Sequence, residues 1–254
     1  MRAGGRSLAG SFVYEGARVV TGWHAHDLHQ IEYALQGVVE VETAAAHYLL
    51  PPQQAAWIPA GLLHQTTINT AVRSVSVFFD LDLVPRAGDR ARILAVPPLI
   101  REMIVFATRW PIERRSSDSF ADTFFQTLAH LVEEGLDHEA PLSLPTSSDP
   151  VLAAAMAYTK EHLDTATVTD VSRAVGVSPR TLRRLFQSAV GSSWRSYVLQ
   201  ARVLRAMALL SEPGPTVLQV ATAVGFDSVS AFTRAFANRC GETPSAYRRR
   251  VTSS

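Results

Sequence analysis

Two periodicities divide the chain. From about Phe12 to Asp80 apolar residues recur at every second position: Ile31, Tyr33 and Leu35 alternate with Gln30, Glu32 and Ala34, and Val39 and Val41 alternate with Glu40 and Glu42. Period two is that of a β-strand, and Gly37 punctuates the two runs. Val75, Val77 and Phe79 form a further strand facing away from Ser74 and Ser76. Several such short strands predict a small barrel or sandwich over about 8–82. The period then becomes helical. Leu99 to Trp110 and Ser119 to Asp137 read as helices within about 95–138, the second carrying Phe120, Phe124, Leu128 and Leu131 on one face. Both are expected to pack outside the barrel.

The segment Pro141 to Pro150 gathers proline, serine and aspartate between periodic stretches, the composition of a linker. It divides the chain into domains 1–145 and 146–254. Beyond it everything reads as helix, beginning with Pro150 to Leu163, and an internal repeat appears. Gly191-Ser-Ser-Trp-Arg-Ser-Tyr197 matches Gly241-Glu-Thr-Pro-Ser-Ala-Tyr247 at an offset of 50 residues, and Val171, Val175 and Gly176 match Val220, Val224 and Gly225. The fold class is therefore α+β in two domains, a β-barrel with flanking helices followed by an all-α domain built from two copies of one unit.

Each copy has a short helix, Val168 to Val175 or Val217 to Val224, with a small residue on its packing face (Ser172, Ala221) and then Gly176 or Gly225. Such a glycine frees the backbone for the tight turn of a helix-turn-helix. In the first copy Ser178 can cap the next helix, with Pro179 in its first turn, where a missing N–H costs nothing. Leu182, Leu185 and Phe186 give that helix an apolar face and leave Arg180, Arg183 and Arg184 opposite. The second copy starts a helix near Ser228, buries Ala231, Phe232, Ala235 and Phe236, and offers Ser230, Thr233 and Arg234 outward.

Charge separates the halves in the same way. Residues 1–149 carry 11 cations and 17 anions, net −6, whereas residues 150–254 carry 13 cations, twelve of them arginine, and 6 anions, net +7. Arginine's planar fork suits bidentate contacts to phosphate and guanine, so the basic half points to double-stranded DNA. No apolar run approaches the roughly 20 residues that span a bilayer, and no secretory signal is evident, so a cytoplasmic protein is expected. A single cysteine, Cys240, cannot form an internal disulfide and reads as core filler.

The run Ser178-Pro-Arg-Thr-Leu-Arg-Arg-Leu-Phe186, then Gly191, Val217 through Gly225-Phe-Asp-Ser228, Ala231-Phe-Thr-Arg-Ala-Phe236 and Gly241-Glu-Thr-Pro-Ser-Ala-Tyr247 resembles the AraC family of bacterial transcription factors over about Leu152 to Arg249. Cys240 departs from the apolar residue usual there. The resemblance implies two helix-turn-helix modules joined by a long helix, here Ser193 to Leu210, that sets two recognition helices into successive major grooves. By position in the motif the groove-facing residues are Arg180, Arg183 and Arg184 in the first module and Ser230 and Arg234 in the second. The bland alternative is that they are solvated surface residues or contact phosphate only. Arg248 to Arg250 read as a phosphate-touching or disordered tail.

Seven of the eight histidines lie in the acidic half. Gly22-Trp-His-Ala-His-Asp-Leu-His-Gln30 and Pro59-Ala-Gly-Leu-Leu-His64 resemble the two motifs of a cupin barrel. Period two places His24 and His26 on one strand face, and the second motif brings His64 across the barrel after a Pro-Gly turn. Gln30 stands where many cupins have a glutamate ligand, and Glu32 shares the histidines' parity without the motif's spacing. The whole pattern looks like a subset of AraC-type regulators that includes nickel-responsive ones. His24, His26 and His64, with Gln30, are thus candidate ligands for a divalent transition metal, nickel or zinc. A pocket for an organic effector stands beside that reading. His29 is expected outside unless a bulge turns it inward, and His47, His130 and His138 on the surface. Effector-controlled DNA binding by a homodimer, joined through the N-terminal half, is the resulting expectation. Its rivals are a cupin metalloenzyme carrying a DNA-binding appendage, and a constitutive DNA binder whose barrel only dimerises.

Overall fold

The computed structural model describes residues 8–52, 54–69, 71–114, 118–137 and 143–252. The chain divides into two compact units, one of residues 1–43 and 48–141, the other of 44–47 and 142–254. His138 lies outside the described residues, as do residues 141–142 of the expected linker.

In the first unit the strands are β1 (Ala9–Gly16), β2 (Val19–Val20), β3 (His29–Gln36), β4 (Val39–Thr43), β5 (Ala46–Leu50, of which residues 48–50 fall in this unit), β6 (Gln54–Ile58), β7 (His64–Ile68), β8 (Val72–Phe79) and β9 (Arg92–Ala95). One sheet has the order β1-β8-β3-β6-β9, and the second contains β5, β4, β7 and β2 in that order. In the first, Ile31 stands opposite both Val77 of β8 and Trp57 of β6. Helices α1 (Pro98–Ala107) and α2 (Ser119–Gly135) cover its outer face, where Ile31, Tyr33, Trp57, Val75, Val77 and Phe79 pack with Ile104, Phe125, Leu128 and Val132.

Two expectations change here. The alternation on β3 and β8 separates two buried faces, because Gln30, Glu32, Ser74 and Ser76 are as buried as their apolar neighbours. Helices close one face and the second sheet closes the other, so parity decides which core a residue enters. On α2 the face turned to the sheet is Ala121, Phe125, Leu128, Ala129 and Val132. Of the expected set only Leu128 is fully buried. Phe120 is 61% exposed, and Phe124 and Leu131 are half-buried. Asp118 caps the helix, accepting the amides of Phe120 and Ala121.

The second unit holds β10 (Ser143–Pro145) and helices α3 (Pro150–Glu161), α4 (Val168–Ala174), α5 (Pro179–Val190), α6 (Trp194–Ser211), α7 (Val217–Ala223), α8 (Val229–Cys240) and α9 (Pro244–Thr252). Part of the expected linker is thus ordered strand. Thr146 donates from its amide to the Ala45 carbonyl (3.2 Å) and from Oγ1 to the Ala44 carbonyl (2.9 Å), so residues 44–47 belong with this unit. His47 is buried rather than on the surface, while His130 is exposed as expected.

Candidate DNA-binding surface and histidine site

Each helix-turn-helix is specified locally. After α4 the chain turns at Gly176 (φ 70°), and the Val177 amide donates to the Ser172 carbonyl at 3.0 Å. Ser178 Oγ accepts the Thr181 amide at 3.1 Å and starts α5, which buries Leu182 and Phe186. In the second module Thr216 and Gln219 form a reciprocal capping box on α7, Gly225 (φ 82°) makes the turn, and Ser228 caps α8 over buried Phe232 and Phe236. A helix that buries one narrow stripe leaves its other faces to solvent. Arg180, Arg183 and Arg184 on α5 and Ser230 and Arg234 on α8 all lie exposed.

Three details differ from expectation. Ala231 is exposed and Ala235 only half-buried, so Phe232 and Phe236 carry the packing of α8. Thr233, expected outward, is half-buried. Arg248 to Arg250 form no loose tail: they lie in α9, Arg248 Nε donates to the Leu210 carbonyl at 3.4 Å, and Arg250 pairs with Glu242. Burial pushes the Cys240 thiol up to about 12, which keeps it protonated and inert.

The first unit gathers His24, His26 and His64. Residues 22–28 are not a continuous strand; His24 forms an isolated antiparallel bridge with His64, each amide donating to the other's carbonyl at 2.9 Å. That pairing brings two side chains to one face, with ring centroids 4.3 Å apart. The Gly61 amide donates to the His26 carbonyl at 2.8 Å, and the His26 ring stands 5.1 Å from that of His64 and 6.2 Å from that of His24. Each Nδ1 meets a backbone carbonyl, His24 to Gly22 (3.0 Å), His26 to Leu28 (2.7 Å) and His64 to Leu62 (2.9 Å). A ring whose Nδ1–H is held this way presents Nε2 as its lone-pair donor, as His24 and His64 can, whereas His26 Nε2 faces the Gln30 amide oxygen, an acceptor, and donates a proton to it. His64 Nε2 is buried without a hydrogen-bond partner, and burial, the chief cause, lowers the His64 pKa to about 4. Neutral imidazole is the metal-ligating form. Among the described residues, however, no three His, Cys, Asp or Glu side chains stand as a ready cage for a metal ion.

Behind His26 a polar chain runs into the interior. His26 Nε2 lies 2.7 Å from Gln30 Oε1, Gln30 Nε2 donates to Glu32 Oε2 at 3.0 Å, and the Ser76 hydroxyl donates to the same oxygen. Burial raises the Glu32 pKa against the hydrogen bonds from Ser76, Ser74 and Gln30. Glu32 therefore reaches the site through Gln30. His29 is buried, contrary to expectation: it stacks on Trp57 at 5.2 Å, and its Nδ1 accepts the Ala60 amide at 3.0 Å. Burial lowers its pKa, and the neutral ring pins the Pro59-Ala-Gly61 turn from which His64 follows. Sequence reading also missed a connection inside the second unit. Gln200 of α6 donates to the Ser143 carbonyl of β10 and accepts from Arg239 of α8 at 3.2 Å. No sequence signal marks it, since Gln200 falls at an ordinary helical position.

A β domain with a polar interior site, coupled in one chain to tandem helix-turn-helix modules, defines a DNA-binding regulator with a ligand-binding domain. The comparisons place it more closely. Residues 10–144 match the model of the AraC-like ligand binding domain and residues 171–250 that of a helix-turn-helix domain. The chain belongs to the AraC family. It is 27% identical over 232 residues to the HTH-type transcriptional regulator NimR of Escherichia coli, covering 90% of this chain and 82% of that one. It is 30% identical over 139 residues to the transcriptional activator NphR of a Rhodococcus species, covering 55% of this chain but 41% of that one. An AraC-type regulator structure from Chromobacterium violaceum matches 42% of this chain and 97% of its own at 30% identity, with a TM-score of 0.40. No helix among the described residues is long and apolar enough to cross a membrane.

Proposed function

We propose that the protein is a cytoplasmic, homodimeric transcription regulator without catalytic activity, whose effector is a divalent transition metal, nickel or zinc, held by His24, His26 and His64 with Gln30. The observation that carries this reading is the set of three imidazoles whose Nδ1 atoms are tied to carbonyls while a buried Nε2, that of His64, lacks a partner. Imidazole nitrogen suits nickel, zinc, copper and iron and excludes calcium and magnesium. The effector acts by binding one arrangement of the protein more tightly than another, which changes operator affinity by the same ratio. Arg180, Arg183, Arg184, Ser230 and Arg234 read the operator.

The dimer is assigned to a second copy meeting the outward face of α1 and α2. Leu99 and Phe120 there are 62% and 61% exposed, and Phe106 and Phe124, 5.5 Å apart, join the two helices into one apolar stripe. A stripe that repeats on both copies suits a two-fold contact. Sedimentation of the full chain, with Phe120→Asp as the dissociating variant, tests it.

Elemental analysis of untagged protein, with operator binding measured before and after chelation, tests the metal. Absence of saturable one-to-one nickel or zinc binding by calorimetry at neutral pH would overturn it. A second reading, an organic effector, is favoured by the exposed Trp23 and Leu63 on the segments that carry these histidines and by the lack of a ready cage. Substrate turnover by the metal-loaded protein would instead support the enzyme rival.

A further inference from the structure

Two helix-turn-helix modules joined by one helix can either swing about it or be fixed by contacts that bypass it. Here α3–α5 form the first module, α7–α9 the second, and α6 runs between them. Midway along α6, Arg202 points its guanidinium into the α3–α4 turn: Nε donates to the Leu163 carbonyl at 3.0 Å and Nη2 to the Asp164 carbonyl at 3.2 Å. The same guanidinium lies 5.8 Å from the ring centroid of Phe226, in the turn of the second module. Asp164 and Asp227, one from each module, place their charges around it, while burial opposes them. One half-buried side chain thus touches both modules.

The backbones also meet directly. A Cβ on Gly225 would stand 2.7 Å from Asp164 Cα and 2.6 Å from Arg202 Nη2, and closer still to the Asp164 carbonyl oxygen. The second module's turn therefore sits against the first module's α3–α4 turn with no room for a side chain. Gly176 supplies an internal control. It holds the equivalent place in the first module with the same left-handed backbone (φ 70° against 82°), yet a Cβ there would meet nothing within 4 Å. Both positions need glycine for conformation, and only Gly225 needs it for contact.

We propose that Arg202 and Gly225 lock the second module against the first and so fix the distance and rotation between the recognition helices α5 and α8. Arg202 is a positioning residue: it reads no base, but it dictates which spacing between two operator elements the protein accepts. The inference rests on both modules entering the operator, as the function above requires. One added base pair moves the second element by about 3.4 Å and about 34°, beyond what a bidentate side-chain contact tolerates.

The test uses full-length protein and the duplex it enriches from random double-stranded DNA, together with duplexes carrying one base pair more or fewer between the two elements. Wild type should lose roughly 30-fold or more in affinity on either shift. Arg202→Met should bind the native spacing more weakly and bind all three spacings within about threefold of one another. Gly225→Ala should flatten the profile likewise, whereas Gly176→Ala, which bears the same backbone strain without the collision, should keep it steep. Wild-type steepness retained in both Arg202→Met and Gly225→Ala overturns the lock. A wild type indifferent to spacing would instead overturn two-module reading of the operator. Should Arg202→Met fail to fold, the two glycine variants decide alone.

Discussion

Acidifying metal-free protein should destabilise the β domain through His64 by a calculable amount. The buried ring has a pKa of about 4 when folded, against 6.5 for the free side chain. A group whose folded pKa is depressed contributes stability that is complete above its unfolded pKa and is lost as pH falls through the folded one. The window here runs from about 6.5 down to about 4, and at about 1.36 kcal/mol per pH unit the full loss is about 3.4 kcal/mol. Between pH 7 and pH 5 the two titration curves give a loss of about 1.8 kcal/mol. Glu32 acts in the opposite sense, because burial raises its pKa: its contribution is present at low pH and lost as pH rises through the raised value. The comparison is therefore made against His64→Gln, which keeps Glu32 and removes the titrating ring. Urea unfolding of both chelated proteins can be followed by tryptophan emission, since Trp23, Trp57 and Trp110 all lie in this unit. Wild type should lose about 1.8 kcal/mol more than the variant between pH 7 and pH 5, with unchanged denaturant slopes. Equal losses in the two proteins would refute the assignment of a neutral, desolvated imidazole.

Arg184→Ala should weaken operator binding by about 1–3 kcal/mol and relax preference at one base pair, whereas uniform weakening on operator and random DNA would make Arg184 a phosphate contact. Replacing His24 and His26 together by alanine should abolish one-to-one nickel or zinc binding in calorimetry while leaving a cooperative thermal transition, and wild-type metal affinity should fall as acid approaches the pKa of about 4 at which His64 protonates. Phe232→Ala, which empties a fully buried site under α8, should cost about 3–5 kcal/mol of stability, read by urea unfolding.

Local rules made much of this protein legible from its sequence. The helix-turn-helix repeat could be read because caps, turn glycines and apolar stripes act within a few residues: Ser178 and Ser228 cap, Gly176 and Gly225 turn, and Leu182, Phe186, Phe232 and Phe236 bury where periodicity puts them. The outward placement of Arg180, Arg183, Arg184, Ser230 and Arg234 followed from the same periodicity. The convergence of His24, His26 and His64 followed from motif spacing, although a single backbone bridge between His24 and His64, rather than a continuous strand, achieves it. Tertiary structure alone decided the rest, because a side chain's environment depends on what another element brings to it. Parity on β3 could not say that Glu32 and Ser76 share a closed interior, since only the second sheet makes that face dry. The buried face of α2 stands one residue from the expected one, at Phe125 in place of Phe124, because packing against the sheet, not the helix's own apolar content, selects it. Arg202 carries no distinguishing signal in the sequence, and only the fold sets two carbonyls of one module and the turn of the other around it.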